Sequence, residues 1–527
     1  MANKNILLIE PAYKNKYPPL GLMKLAQYHG PRGKQDKVTF VKGEDRTVLD
    51  TYWDRIYVTT LFSFEWKKIS EAIDFAIEAS GDQPNKVFVG GIAASLMHGE
   101  FLKEIRWRGV RFVAGLLKDP PAQSLQLDAF EEELYSDDLA SQPIEDHIPD
   151  YSILEQTDYR YSITDAYFAY ASRGCVRKCS FCGVPKLEGD LYDTPSLSRI
   201  VKGIENIYGA KKDLILMDNN IVASPRFKEV IAEIRDLGFE RGAKLQRGKR
   251  AAVQRRVDFN QGVDARILCK DPMFLRELAS TCIKPLRIAF DHIGLRKPYE
   301  TAIRYAHQAG LCDLSNYMLY NFHDSAADLY QRMRLNIELN KELGIRIFSF
   351  PMRYQPTDRK DRGFVGEKWN RYYLRSMQII LQATHGIVSG APQFFERAFG
   401  NSEEAFEQLL TRPQKFIFNR VWFEELGGQA EFEEYRSLYS RLSAADRANL
   451  LLVLSNFENR HFSTLLSGIS NRKVREVFRF YSPLDDREER QIWERQKAIQ
   501  TEHAAGCMLP DDERVEDAGL ELNPVSA

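Results

Sequence analysis

No run of apolar residues in this 527-residue chain approaches the roughly 20 that cross a bilayer; the longest are of the order of Leu450 to Leu454. Charge of one sign is lacking too. With 73 Lys and Arg against 74 Asp and Glu, a generally basic nucleic-acid surface is not expected, and only a local patch could serve one. The first residues, Met1-Ala2-Asn3-Lys4-Asn5, run straight into a short apolar stretch without the core or cleavage pattern of a signal peptide. We therefore expect a soluble, cytoplasmic protein. After Ile9 comes Glu10-Pro11-Ala12-Tyr13 in place of a GxGxxG turn, which argues against NAD or FAD. Cysteine is sparse and odd in number, seven in all, which speaks for reduced thiols rather than a disulfide framework.

What is there is concentrated in one place. Cys175, Cys179 and Cys182, within Gly174-Cys175-Val176-Arg177-Lys178-Cys179-Ser180-Phe181-Cys182-Gly183, form a CxxxCxxC triplet. Three thiolates within eight residues suit three irons of one 4Fe-4S cluster, whose full complement is four cysteines, so one iron is left open. An incomplete ligand set leaves room for a substrate or cofactor. Three unrelated thiols or a zinc knuckle are the alternatives, but no His or Cys lies near enough in sequence to complete a zinc site. Cys269, Cys282 and Cys312 have apolar neighbours and are expected in the core, whereas Cys507 falls in a polar, flexible tail.

The triplet, with aromatic Phe181 before its third cysteine and the tail Gly183-Val184-Pro185-Lys186, resembles the signature of the radical S-adenosylmethionine (radical SAM) enzymes. The resemblance implies that the open iron chelates S-adenosylmethionine and that an electron from the cluster cleaves it to a 5'-deoxyadenosyl radical. It also implies an electron donor such as flavodoxin or ferredoxin.

The length suggests two or three domains. Residues 1–117 read as a doubly wound parallel sheet: strands at Asn5 to Ile9, Ile56 to Thr60 and Lys86 to Val89, a helix carrying Trp66, Ile69, Ile73 and Ala76, and a closing Gly90-Gly91. Tyr17-Pro18-Pro19-Leu20-Gly21-Leu22 and Val87 to Gly91 resemble the amino-terminal domain of cobalamin-class radical SAM enzymes, which makes cobalamin a possible cofactor. The chain departs from that pattern in lacking DxHxxG and in carrying Val113-Ala114-Gly115-Leu116-Leu117 where relatives have an acidic turn. A retained sheet serving as a lid is the alternative.

Residues 118–165 read as a linker with Pro120-Pro121 and an acidic stretch from Asp128 to Asp138. Residues 166–358 repeat strand then helix six times, with apolar runs at Ala166 to Ala171, Leu214 to Met217, Val257 to Asn260, Leu286 to Phe290, Tyr317 to Tyr320 and Arg346 to Phe350. This is the rhythm of a partial (β/α)6 barrel, with its active face at the carboxyl ends of the strands. Residues 359–527 turn α-helical, as at Trp369 to Ala383, Asn449 to Phe457 and Val474 to Phe480.

Polar residues gather after the apolar runs. By the resemblance, Phe181 lies against adenine, Asp218, Asn219 and Asn220 hold the cofactor's amino group, Gln261, Asp264 and Arg266 serve its ribose, carboxylate or the substrate, and Asn321 contacts adenine. Each is equally readable as a strand-terminal group holding a loop. His292 is expected as a packed histidine or a proton carrier, and Arg353 as a carboxylate clamp or an ordinary ion pair. The segment Arg241 to Arg256 has seven basic residues and no acidic one, a solvated loop or a dock for nucleic acid or an acidic partner. The fullest expectation is a radical SAM enzyme abstracting hydrogen from an unknown substrate for oxidation or rearrangement. The alternatives are a cobalamin-dependent radical methyltransferase, an RNA-modifying radical SAM enzyme and a non-catalytic iron-sulfur redox protein.

Overall fold

The computed structural model describes residues 4–118 and 143–506; the acidic stretch, Pro120-Pro121 and Cys507 lie outside them. The chain forms two compact units, one of Met1–Phe290, Leu295–Tyr317 and Tyr354–Phe364, the other of Asp291–Gly294, Met318–Arg353 and Val365–Ala527.

In the first unit, strands β1 (Asn5–Glu10), β2 (Lys37–Lys42), β3 (Arg55–Thr60), β4 (Val87–Gly91) and β5 (Arg111–Phe112) form a sheet in the order β2-β1-β3-β4-β5. All its pairings are parallel. Sheets covered on both faces draw their strands from continuous apolar runs, and Ile6 to Ile9 are fully buried. Helix Trp66–Ala79 buries Ile69, Ala72, Ile73 and Ala76, one stripe at helical spacing, in the core with Leu7, Ile56, Val87 and Val89. The two edge strands, β2 and β5, were not legible. β2 (KVTFVK) mixes charge with apolar residues and β5 is two residues long.

A second sheet runs β12-β9-β6, from β6 (Ala166–Ala169), β9 (Asp213–Leu216) and β12 (Arg256–Phe259), all parallel. β13 (Leu286–Arg287) pairs in parallel with the start of β14 (Asp313–Tyr320), and single bridges Val257↔Ile283 and Val263↔Ile288 link these stretches. With β15 (Arg346–Arg353), each of the six apolar runs is a strand, and helices lie between them. A two-stranded antiparallel ribbon, β7 (Ser172–Arg173) with β8 (Tyr192–Asp193), pinches off the cysteine-bearing loop.

The described part of the expected linker is packed rather than loose. It holds short turns at Ile144–Asp146 and Tyr151–Gln156, and Tyr151 bonds the backbone of β6 at Ala166 O (2.9 Å) and Phe168 N (3.2 Å). Tyr354–Phe364 also belongs to this unit: Lys360 pairs with Glu104 at 2.8 Å and stands 4.2 Å over the Trp66 ring. The basic segment is a small antiparallel hairpin, β10 (Lys244–Leu245) with β11 (Val253–Gln254), rather than a plain loop. Cys282 is buried and Cys269 half-buried; Cys312, expected in the core, is exposed.

The second unit contains β15, the helix Ala326–Leu343 packed on it, and helices from Arg371 onward. Arg332 is wholly buried, bonded to Asp328 (2.6 Å), Asp324 (3.0 Å) and Leu319 O (2.9 Å). An aromatic core of Tyr372, Phe416, Phe432, Tyr435, Phe457, Phe478 and Tyr481 holds the helices together. Among the described residues no helix is long and apolar enough to cross a membrane.

Candidate functional site

The loop between β7 and β8 begins with a turn that only glycine allows. Gly174 has φ +74°, and a Cβ there would stand 2.1 Å from the Asp190 carbonyl oxygen. Its N–H donates to Glu188 Oε2 at 2.7 Å, and Cys175 N–H reaches Gly189 O at 3.3 Å. The chain thus doubles back immediately before the first cysteine.

All three sulfurs face donors. Cys175 Sγ accepts from Arg177 N–H (3.3 Å) and stands 3.9 Å from Asn220 Nδ2; Cys182 Sγ accepts from Val184 N–H (3.4 Å). Cys179 interacts with the Arg266 guanidinium. Donors and cations of this kind favour thiolate over thiol and stabilise sulfur ligands of a metal. Among the described residues no three His, Cys, Asp or Glu groups already converge as a metal cage. What fits a cluster is the donor set itself: three half-buried thiols on one clamped loop, with N–H groups and a guanidinium turned on the sulfurs.

Asp264 ties this loop to the end of β12. Capping helix Ala265–Leu268, it accepts from Arg266 N–H (2.9 Å) and Nε (2.8 Å) through Oδ1, and from Arg177 Nε (2.7 Å) through Oδ2. Burial opposes its ionisation, but the Arg266 and Arg177 bonds outweigh it and hold the carboxyl below its usual range.

The residues after β9 divide in role. Asp218, expected among the acceptors of a cofactor ammonium, spends its carboxylate on Ser172 Oγ (2.7 Å) and on the N–H groups of Ala171 and Ser172. With these bonds Asp218 holds the loop's neck. Burial pushes it up to about 6, against the pull of the Ser172 and Ala171 donors. Asn219 is likewise engaged, donating to Glu188 Oε2 at 2.7 Å. Asn220 is different: its Oδ1 is buried with no hydrogen-bond partner among the described residues, while its Nδ2 faces Cys175. A buried acceptor left without a donor is costly unless a ligand supplies one.

Phe181 is half-buried on the loop, and Gln261 is exposed. Asn321 belongs to the second unit, where it is buried at φ +68° and accepts from Gly366 N–H at 2.8 Å. His292, expected to be packed, is exposed, and Arg353 is half-buried and interacts with Tyr320. Sequence reasoning missed Glu188, Arg173, Arg177 and Glu145, whose partners lie up to 121 positions away along the chain. A basic residue two after Cys175 and an acidic one six after Cys182 were the available signals.

At the amino-terminal sheet, the strand order reverses between β1 and β3, where α/β sheets usually take ligands. That end is filled by the chain itself: Glu10 is bonded to Lys42 (2.8 Å), Asn15 (2.7 Å) and Tyr161, and Lys42 stands 4.2 Å over the Tyr159 ring. Gly91 is required by the neighbouring strand rather than by a ligand, since a Cβ there would meet Thr60 O at 2.4 Å. Past β4 and β5 the described residues leave a ledge. Among them Ile92 is 40 % exposed, a Cβ on Gly115 would meet nothing within 4 Å, and Ser95 Oγ accepts from Gly115 N–H at 2.9 Å. Leu96, at the end of the same short helix, lies 3.0 Å from where a Cβ on Gly183 would stand, so the ledge borders the cysteine loop.

No family model and no curated protein matches the chain. Among solved structures it is similar to the radical S-adenosylmethionine methyltransferase TsrM from Kitasatospora setae, with cobalamin and a 4Fe-4S cluster bound: 15% identity, 68% of this chain and 77% of that one, TM-score 0.45. It is similar also to OxsB, a cobalamin-dependent S-adenosylmethionine radical enzyme, at 12% identity over 96% of this chain and 81% of that one, TM-score 0.43. At such values the likeness decides nothing about chemistry, which the site's own residues must carry.

Proposed function

We propose that the chain is a radical SAM enzyme. A 4Fe-4S cluster on Cys175, Cys179 and Cys182, with S-adenosylmethionine on its open iron, supplies one electron that cleaves the cofactor and yields a 5'-deoxyadenosyl radical for hydrogen abstraction. The observation that carries this reading is the conjunction at one strand-end region of three donor-facing sulfurs and a buried, partnerless Asn220 Oδ1. That oxygen is the acceptor we assign to the cofactor's ammonium. Arg266, poised by Asp264 beside Cys179, offers a guanidinium for a carboxylate, and Phe181 a face for adenine.

The supporting architecture is read as a partial (β/α)6 barrel over 166–358, with Gln261 and Asn321 at its strand ends, a sheet domain over 1–117, a linker over 118–165 and a helical domain over 359–527. Its substrate, open to oxidation or rearrangement, is unassigned, and an electron donor of the flavodoxin or ferredoxin kind is required by the chemistry. The basic hairpin precedes β12 while the cysteine loop follows β6, so the two lie at opposite ends of parallel strands, which disfavours RNA at the radical site.

One observation favours a second reading, cobalamin-dependent methyl transfer: among the described residues Ile92 is exposed and nothing lies within 4 Å of a Cβ on Gly115, in the stretch that borders the cysteine loop, although the β1/β3 end is filled. Anaerobic reconstitution with iron and sulfide tests the main reading. About four irons per chain, and 5'-deoxyadenosine formed on adding reductant and S-adenosylmethionine, are expected; both should vanish when any of the three cysteines is replaced by Ala. A variant that keeps cluster and cleavage would refute it. Stoichiometric retention of added hydroxocobalamin through gel filtration would put methyl transfer first.

A further inference from the structure

We infer that Glu145 is a positioning residue for the cysteine loop, acting through a buried chain of alternating charges that starts on helix Leu20–His29. The inference rests on the proposed cluster for its meaning but not for its geometry. Glu145 sits in a turn 30 positions before Cys175, on no strand. Its Oε1 receives Lys24 Nζ at 2.9 Å and Arg173 at 3.3 Å. Arg173 in turn pairs with Glu188 Oε1 at 3.2 Å. Glu188 Oε2 then takes Gly174 N–H and Asn219 Nδ2, each at 2.7 Å.

Each link is shielded: the four side chains are between 6% and 14% exposed. Low exposure is what makes such a chain directive, because each charge has no water to turn to when its neighbour moves. Arg173 has little freedom. Its guanidinium lies 4.0 Å over the Tyr170 ring, and its backbone is in the ribbon opposite Tyr192. The end of the chain falls on both sides of the first cysteine. Gly174 precedes Cys175 directly, and Asn219 precedes Asn220, whose amide faces the Cys175 sulfur. Two positive and two negative groups balance within the chain, so removing Glu145 leaves Lys24 and Arg173 with Glu188 as the one carboxylate of the chain, Asp146 near Lys24 and Asp218 near Arg173 lying outside it. Glu188 is then drawn toward the cations, and its hold on Gly174 and Asn219 is released.

The test uses the full chain, first without metal. Glu145→Gln and, separately, Lys24→Met should keep native circular dichroism while amide hydrogen exchange in residues 174–190 rises about 10-fold or more and iodoacetamide labels Cys175 faster. After reconstitution, the same variants should show a shifted cluster midpoint potential, which general loss of stability would not produce. Unchanged loop protection in every variant that folds overturns the inference, and Lys24→Met keeps it testable if Glu145→Gln does not fold. If wild type takes up no iron, the proposed function falls while the exchange comparison still judges the relay.

Discussion

Asp218, two residues past strand β9, accepts a hydrogen bond from the Ser172 hydroxyl at 2.7 Å and others from the Ser172 and Ala171 backbone N–H groups, with its side chain buried. Two strand ends are thereby locked together three residues before the first cysteine. Removing the carboxylate as Asp218→Ala leaves those donors unpaired in the interior. A loss of about 2–4 kcal/mol of stability is expected, together with lower iron content after reconstitution. Denaturant unfolding and iron analysis check this; near-normal iron with weakened S-adenosylmethionine binding would instead return Asp218 to the cofactor.

The same carboxyl gives a pH signature. Its folded value is raised to about 6 from 3.8, so the folded state holds the proton more tightly than the unfolded one. The associated stability is complete below about pH 4 and is lost as pH rises through about 6, up to roughly 3 kcal/mol at 1.36 kcal/mol per unit. Asp218→Asn does not titrate, so the wild-type advantage over it should shrink between pH 4 and 6 and stay level above 7. A difference that grew with pH over that window would contradict the assignment.

Asn220→Ala should leave the iron content near normal while weakening S-adenosylmethionine binding about 10- to 150-fold, the equivalent of one hydrogen bond to a charged group. Calorimetry on the reconstituted protein reads this directly. Equal affinity in variant and wild type would mean that the buried Oδ1 serves no cofactor.

Lys249 and Arg250 lie exposed at the tip of the basic hairpin. Reversing both to Glu should leave 5'-deoxyadenosine formation within about twofold of wild type and stability within about 0.5 kcal/mol, as for surface changes remote from a site. A large fall in cofactor cleavage would bring the hairpin back into consideration for the active site.

How much of this was legible follows from what each signal depends on. Strand positions came through where both faces are buried, because Asn5 to Ile9 and Leu214 to Met217 are apolar almost without interruption. The edge strand Lys37–Lys42 escaped because its short apolar stretch is broken by Thr39 and flanked by a lysine at each end. Cys312 misled: its neighbour Leu311 suggested the core, yet its own position is exposed.

By itself, the sequence determined that three thiols share one loop, since the eight-residue Cys175–Cys182 spacing confines them there whatever the rest of the chain does. It also determined the rhythm of strands and helices, which follows from local periodicity. Only the tertiary structure decided how the charged residues are spent. Asp218 and Asn220 are two positions apart and similar in type, yet one is consumed by Ser172, while the other turns its Nδ2 on Cys175 and keeps an oxygen with no partner among the described residues. Lys24, Glu145, Arg173 and Glu188 become one buried series only because folding brings helix, turn, ribbon and loop together. Hydrogen bonds and ion pairs act over about 3–4 Å, so which polar groups meet is settled by the packing of distant segments, which spacing along the chain does not encode.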